Sequence, residues 1–185
     1  MKINEWLFHE LCKLEKIEDE IEREAQCKLL EEIQYSINKY ENHINDYKEQ
    51  LHHADIVKRG IIFEKSELSS SQLKDKWKQA FIKDLTEEIK REIYIHQFLW
   101  HTFSYDKLDA KEKSKARQAF NRKKKSSVYV FFQNKEETYY IANAQNLKAS
   151  DFDYDYDVYI LDESFKWTYI RTHESMCGPY YYSIK

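Results

Sequence analysis

Val128-Tyr129-Val130-Phe131-Phe132-Gln133-Asn134-Lys135-Glu136-Glu137-Thr138-Tyr139-Tyr140-Ile141 decides the fold. β-Branched and aromatic residues fill both ends of this stretch, and such side chains favour a pleated, extended backbone. Asn134 to Glu137 form a polar turn between them, so the two ends pair as an antiparallel hairpin. Upstream of Ser126-Ser127 the apolar period is helical, and downstream it is strand-like. Residues 157–161 and 167–172 read as two further strands, residues 180–184 as a last one, and residues 143–147 as a helical turn. Before the hairpin, Ser69 and Gln72 stand at capping-box spacing and start a helix. Leu73, Trp77, Phe81, Leu85, Ile89 and Ile93 share one face of it, to about residue 97. Asp109 caps a second helix over residues 110–122, with Ala116 and Phe120 inward. Ile61-Ile62-Phe63 suits a short strand, and the aromatic run Phe98 to Tyr105 suits the centre of the core. Helices first and strands later give the α+β class, a small antiparallel sheet with flanking helices.

That domain, residues 60–185, is preceded by a long helical, coiled-coil-like extension over residues 1–59. No Gly or Pro occurs before Gly60, which follows Lys58-Arg59 and suits a helix C-cap. Leu30, Ile33, Ile37, Tyr40, Ile44, Tyr47 and Leu51 alternate steps of three and four, a heptad seam. An earlier stripe, Leu7, Leu14, Ile17 and Ile21, is out of phase, and the slip falls in Glu22-Arg23-Glu24-Ala25-Gln26. Either one helix carries a stutter there or two helices meet there. The seam either packs on the chain's own domain or dimerises through residues 1–59.

The net charge of −3 conceals local polarity. Residues 1–59 are acidic on balance, residues 106–127 are strongly basic, and residues 151–163 hold six acids and no base. With 15 Tyr, 10 Phe and 4 Trp the chain buries a real core. The N-terminus lacks the apolar region of a signal peptide, and no run is long enough to span a membrane. Cys12, Cys27 and Cys177 are too few and too scattered for a disulfide framework, so the expected compartment is the cytoplasm.

Four segments carry chemical interest. Thr172-His173-Glu174-Ser175-Met176-Cys177-Gly178-Pro179 joins a His, a carboxylate and a thiol to the only proline. His173, Glu174 and Cys177, with His101, are the catalytic or ligand-binding candidates, because a neighbouring imidazole gives a thiol thiolate character. On a continuing strand His173 and Glu174 would face opposite ways. Asp151, Asp153, Tyr154, Asp155, Tyr156 and Asp157 read as an acidic, aromatic face along an extended segment, fit to bind a basic protein partner. Arg122, Lys123, Lys124 and Lys125 form the nucleic-acid candidate, without interleaved aromatics or a recognised motif.

No metal site is expected. His96 and His101 lack helical ligand spacing, and Tyr156 stands where a calcium loop starting at Asp151 needs Gly. With Gly60 and Gly178 the only glycines, phosphate-binding glycine loops are excluded, and no cofactor is expected.

The ordered motifs Phe98-Leu99-Trp100-His101-x-Phe103-Ser104-Tyr105, Tyr129-Val130-Phe131-Phe132, Asp157-Val158-Tyr159-Ile160-x-Asp162, Trp167-Thr168-Tyr169-Ile170-x-Thr172-His173-Glu174 and Cys177-Gly178-Pro179-Tyr180 resemble the bacterial family of domain of unknown function 4275. The resemblance covers about residues 61–182. It implies a bacterial cytoplasmic protein and carries no catalytic residues. The expected function is a non-enzymatic protein-interaction module, immunity- or neutraliser-like. The alternatives are a small enzyme or ligand-binding protein using His173, Glu174 and Cys177, and a nucleic-acid binder using the Arg122–Lys125 patch.

Overall fold

The computed structural model describes residues 3–184; Met1 and Lys2 of the expected extension and Lys185 of the expected domain lie outside the described residues. The chain divides into two compact units, residues 1–51 and 52–185.

The first unit contains helix α1 (Ile3–Leu14) and most of helix α2 (Glu20–Lys58). Two helices therefore meet, and they meet at residues 15–19 rather than within Glu22 to Gln26. Asp19 explains the position. Its side chain accepts the Glu22 backbone N–H at 2.8 Å, and Glu20 and Glu22 place negative charge in the first turn of α2. Leu7 and Leu14 of α1 are buried. Leu14 lines one small groove with Arg23 and Cys27, and Ile3 lines another with Ile33, Ile37 and Tyr40. The helices thus run antiparallel as an αα-hairpin.

The second unit opens with the last turns of α2, where Ile56 is buried. It continues with β1 (Glu64–Lys65), α3 (Ser70–Phe81), α4 (Glu87–Glu92), α5 (His101–Ser104), β2 (Lys111–Glu112) and α6 (Lys113–Arg122). The strands β3 (Val128–Phe132), β4 (Thr138–Ile141), β5 (Val158–Asp162), β6 (Trp167–Arg171) and β7 (Tyr180–Ser183) follow, with a 3-10 turn at Ala149–Phe152. All pairings are antiparallel, and the seven-stranded order is β1-β4-β3-β5-β6-β7-β2. The expected α+β class is present.

Strand alternation feeds two cores. Val128, Val130, Phe132, Val158, Ile160, Trp167 and Tyr169 face α6 and the end of α2, packing with Phe120, Ala116 and Ile56. Phe131, Tyr159, Leu161 and Ile170 face the other way, onto Leu73, Trp77 and Phe81 of α3 and onto Trp100 and Phe103. Both faces are covered, which is why these strands read as nearly continuous apolar runs.

Several boundaries differ from expectation. The helix begun by the Ser69 capping box ends at Phe81, because Thr86 caps α4 through the Ile89 N–H with Glu87 and Glu88 in its first turn. The strand expected at residues 61–63 starts at Glu64, since Ile61 turns into the core. Asp109 does not cap α6; Lys111 and Glu112 pair with β7, and the helix starts at Lys113. The helical turn expected at residues 143–147 forms later, at Ala149–Phe152. Among the described residues no helix is long and apolar enough to cross a membrane.

Candidate functional site

His173 sits just past the end of β6, in the loop leading to β7. Its strongest partner is Asp157, one residue before β5. The acceptor-only carboxylate fixes the imidazole with Nδ1–H donating, at 2.8 Å to Oδ2 and 2.9 Å to Oδ1. Asp157 Oδ1 also accepts the His173 backbone N–H at 3.2 Å and the Trp100 indole N–H at 2.9 Å. Asp157 is buried at 8% exposure and holds φ of 50°, a conformation Asp tolerates better than most residues. One carboxylate therefore ties the strand ends β5 and β6 to the segment before α5. The His173 ring, about 42% exposed, packs on Phe98 and Trp100 with centroids at 5.0 and 5.9 Å.

The other sequence candidates do not converge on this ring. Glu174 Oε1 stands 3.9 Å from His173 Nε2, too far for a hydrogen bond. Cys177 lies beside Glu174 and Tyr180, and burial followed by the Glu174 carboxylate pushes its thiol up, away from thiolate character. His101 bonds through Nδ1 to the Ile93 carbonyl at 2.8 Å and packs edge-on against Trp100 at 4.6 Å. Gly178 has φ of 74°, and an added Cβ would come within 3.1 Å of the Tyr180 ring. The turn needs glycine on both counts.

The acidic segment is not an extended face. The 3-10 turn buries Asp151, whose carboxylate accepts from Arg59 at 2.6 and 3.1 Å and from the Lys148 N–H at 2.7 Å. Asp153 takes a bidentate pair from Arg117 at 2.5 and 2.9 Å. The Asp155 carbonyl accepts from Arg171, which lies over the Tyr156 ring. Tyr154 and Tyr156 remain exposed. The acceptors of Asp151, Asp153 and Asp157 are thus engaged within the unit.

The basic run is likewise divided. Lys125 is buried, and its ammonium donates to the carbonyls of Phe120 at 2.8 Å and Lys123 at 3.1 Å, over the Phe120 ring. It caps the C-terminus of α6, where cations suit the helix dipole. Burial lowers it from 10.5 to about 8. Above pH 8 the folded chain has lost a proton that the unfolded chain keeps, so this group adds stability as pH rises towards 10.5. The Cys177 thiol and the Tyr159, Tyr180 and Tyr181 phenols, all raised by burial, oppose it above about pH 9. Lys125→Met isolates the lysine. The stability of the natural chain relative to this variant should grow by about 2 kcal/mol between pH 8 and 10. Urea titrations across that range measure it, and a constant difference would contradict it.

Two grooves of the second unit involve cations. One, of about 470 Å³, lies between α6 and the β7 edge and is lined by Lys111, Lys115, Gln118, Arg122, Lys123 and Tyr181, among others. The second, of about 440 Å³, shares Lys123 and adds Lys124, Lys166, Asp162 and Glu163. Neither is lined by His173, Glu174 or Cys177. Among the described residues no group of three or more His, Cys, Asp or Glu is placed to hold a metal ion.

In the first unit a groove of about 620 Å³ runs between the two helices, lined by Ile3, Leu29, Ile33, Ile37 and Tyr40 with Glu32, Ser36 and Glu41 at its edges. From Tyr40 at its end onward the seam of α2 stays open: Tyr40 is 66% exposed, Tyr47 56% and Leu51 55%. A 12-residue α1 does not reach along a 39-residue α2. The family described as Domain of unknown function (DUF4275) matches residues 35–181. The chain belongs to this family. The DUF4275 span starts inside α2, earlier than the motif resemblance, so the open seam from Tyr40 to Leu51 is part of the family's domain while α1 lies before it. It also takes in Asp157, His173 and the groove residues up to Tyr181. No curated protein and no solved structure matches the chain.

Proposed function

We propose that this DUF4275 chain is a non-enzymatic interaction module that associates with a second copy of itself through α2. The observation that carries the reading is the heptad seam left uncovered where α1 ends. A helical hairpin with one open apolar seam is half of a four-helix arrangement. The occupant follows from the seam's own pattern. Antiparallel packing about a two-fold between Asn45 and Asp46 sets Ile44 of one copy against Tyr47 of the other, and Leu51 against Tyr40. Glu41 and Lys48 share one heptad position beside the seam, so in this register Glu41 of one copy lies two residues from level with Lys48 of the other, within reach of their long side chains, twice by symmetry. Each α1 then flanks the crossing instead of blocking it. The engaged state of Asp157 and the protonated Cys177 thiol support a structural role for the His173 loop.

Ile44→Asp places a charge at the centre of this crossing on a half-buried helix position. The expected result is a monomer with unchanged helix content by circular dichroism. Glu41→Lys should weaken association and Lys48→Glu in the same chain should restore it, because the pair is only exchanged. An Ile44→Asp chain that associates as the natural one does would point to another surface. A natural chain that is monomeric and captures a different helical partner through this seam would replace the second copy as occupant.

A further inference from the structure

We propose that the groove between α6 and the β7 edge binds a phosphate-bearing ligand through its phosphate oxygens. Lys115, Gln118 and Arg122 recur at steps of three and four along one face of α6, and Lys111 of β2 lines the same groove. Strand pairing sets Lys111 opposite Tyr181, so the cations and the sheet edge share one concave surface. Ser183 extends the lining with a hydroxyl, and Lys123 closes the far end. No lining residue is acidic. Among the described residues none of these four cations is joined to a carboxylate in an ion pair, whereas Arg59 and Arg117 on the same unit are. The side chains lining the groove are long and exposed, with Tyr181 as a fixed floor stacked on Trp167 at 5.9 Å.

Phosphate fits better than a carboxylate or an aromatic ligand. Four unpaired cations and neutral donors match an anion of several charges and many acceptor oxygens. Tyr181 and Trp167 present no open ring face, being 7% and 2% exposed, so bases have no platform to stack on. Recognition is therefore of phosphate and independent of base identity. The second groove shares Lys123 but brings in Asp162 and Glu163 beside Lys124 and Lys166, so the acid-free lining ends at Lys123.

The test is binding of inorganic triphosphate and, separately, of a fluorescein-labelled ten-nucleotide thymidine strand to the full chain at low salt. Binding of either probe is expected, weakened at least tenfold by Lys115→Glu with Arg122→Glu and unchanged by Lys83→Glu outside the groove. Strand binding through about three phosphates should fall roughly 20-fold between 50 and 200 mM salt. Tighter binding of the strand assigns the site to nucleic acid, and tighter binding of triphosphate assigns it to a free phosphate compound. Should the double variant fail to fold, the exposed Arg122→Gln carries the same comparison. Binding of neither probe, equal binding by the groove variants, or equal binding of a deca-aspartate control would overturn the proposal.

Discussion

Arg59→Ala is expected to lower stability by about 3 to 5 kcal/mol, the largest effect of any single surface-reaching side chain in the second unit. Arg59 directly follows α2 and donates to both oxygens of Asp151, to the Asn146 carbonyl at 2.8 Å and to Asp55 at 3.0 Å. The Asp151 side chain is 1% exposed, while Arg59 retains 18%. Removing the guanidinium leaves a buried carboxylate with only the Lys148 N–H. Most of the loss is that stranded charge and not the intrinsic worth of the pair. Arg59→Met with Asp151→Leu should therefore recover most of it, because two apolar groups replace two desolvated charges. Urea unfolding of the three chains measures this. A cost under 1 kcal/mol for Arg59→Ala would mean that water reaches the carboxylate.

Asp157→Ala is expected to cost about 3 kcal/mol, combining three unmade hydrogen bonds with a backbone at φ of 50° that alanine adopts poorly. Asp157→Asn separates the two. Its side-chain oxygen can still accept from the Trp100 indole and the His173 backbone N–H, and Asn tolerates the left-handed region. Its expected cost is about 1 kcal/mol, from the weakened bond to the His173 ring. A red shift in tryptophan fluorescence should accompany Asp157→Ala, since Trp100 is 1% exposed and loses its acceptor. Equal costs for the two variants would show that the backbone conformation and the indole contact contribute nothing.

Local pattern and non-local pairing explain what could be read in advance. The hairpin of β3 and β4 was legible because its strand and turn signals lie within fourteen consecutive residues, and both strands occupy the expected positions. The capping box at Ser69 and Gln72 was legible for the same reason. The end of α3 was masked by Leu85, Ile89 and Ile93, which continue the helical spacing across a turn and are still drawn towards the core. The site differed in kind. Asp157 and His173 are sixteen positions apart, and Arg59 and Asp151 are ninety-two apart, so residue type alone could not pair them. The Asp-aromatic alternation suggested an extended face, but the 3-10 turn at Ala149–Phe152 bends it and buries its first carboxylate. Only the left-handed backbone at Asp157 and the indole needing an acceptor at Trp100 hint at their contact, and neither is a sequence motif. The α2 seam was legible by its heptad spacing, whereas how little of it α1 covers depended on where Asp19 restarts the helix.

Sedimentation equilibrium of the full chain at tens of micromolar tests self-association most directly. The single chain has a mass of 22.7 kDa, and the open α2 seam predicts a species of twice that mass. The same experiment on Ile44→Asp should return the single-chain mass. A natural chain that stays at 22.7 kDa at every concentration would contradict self-association through α2.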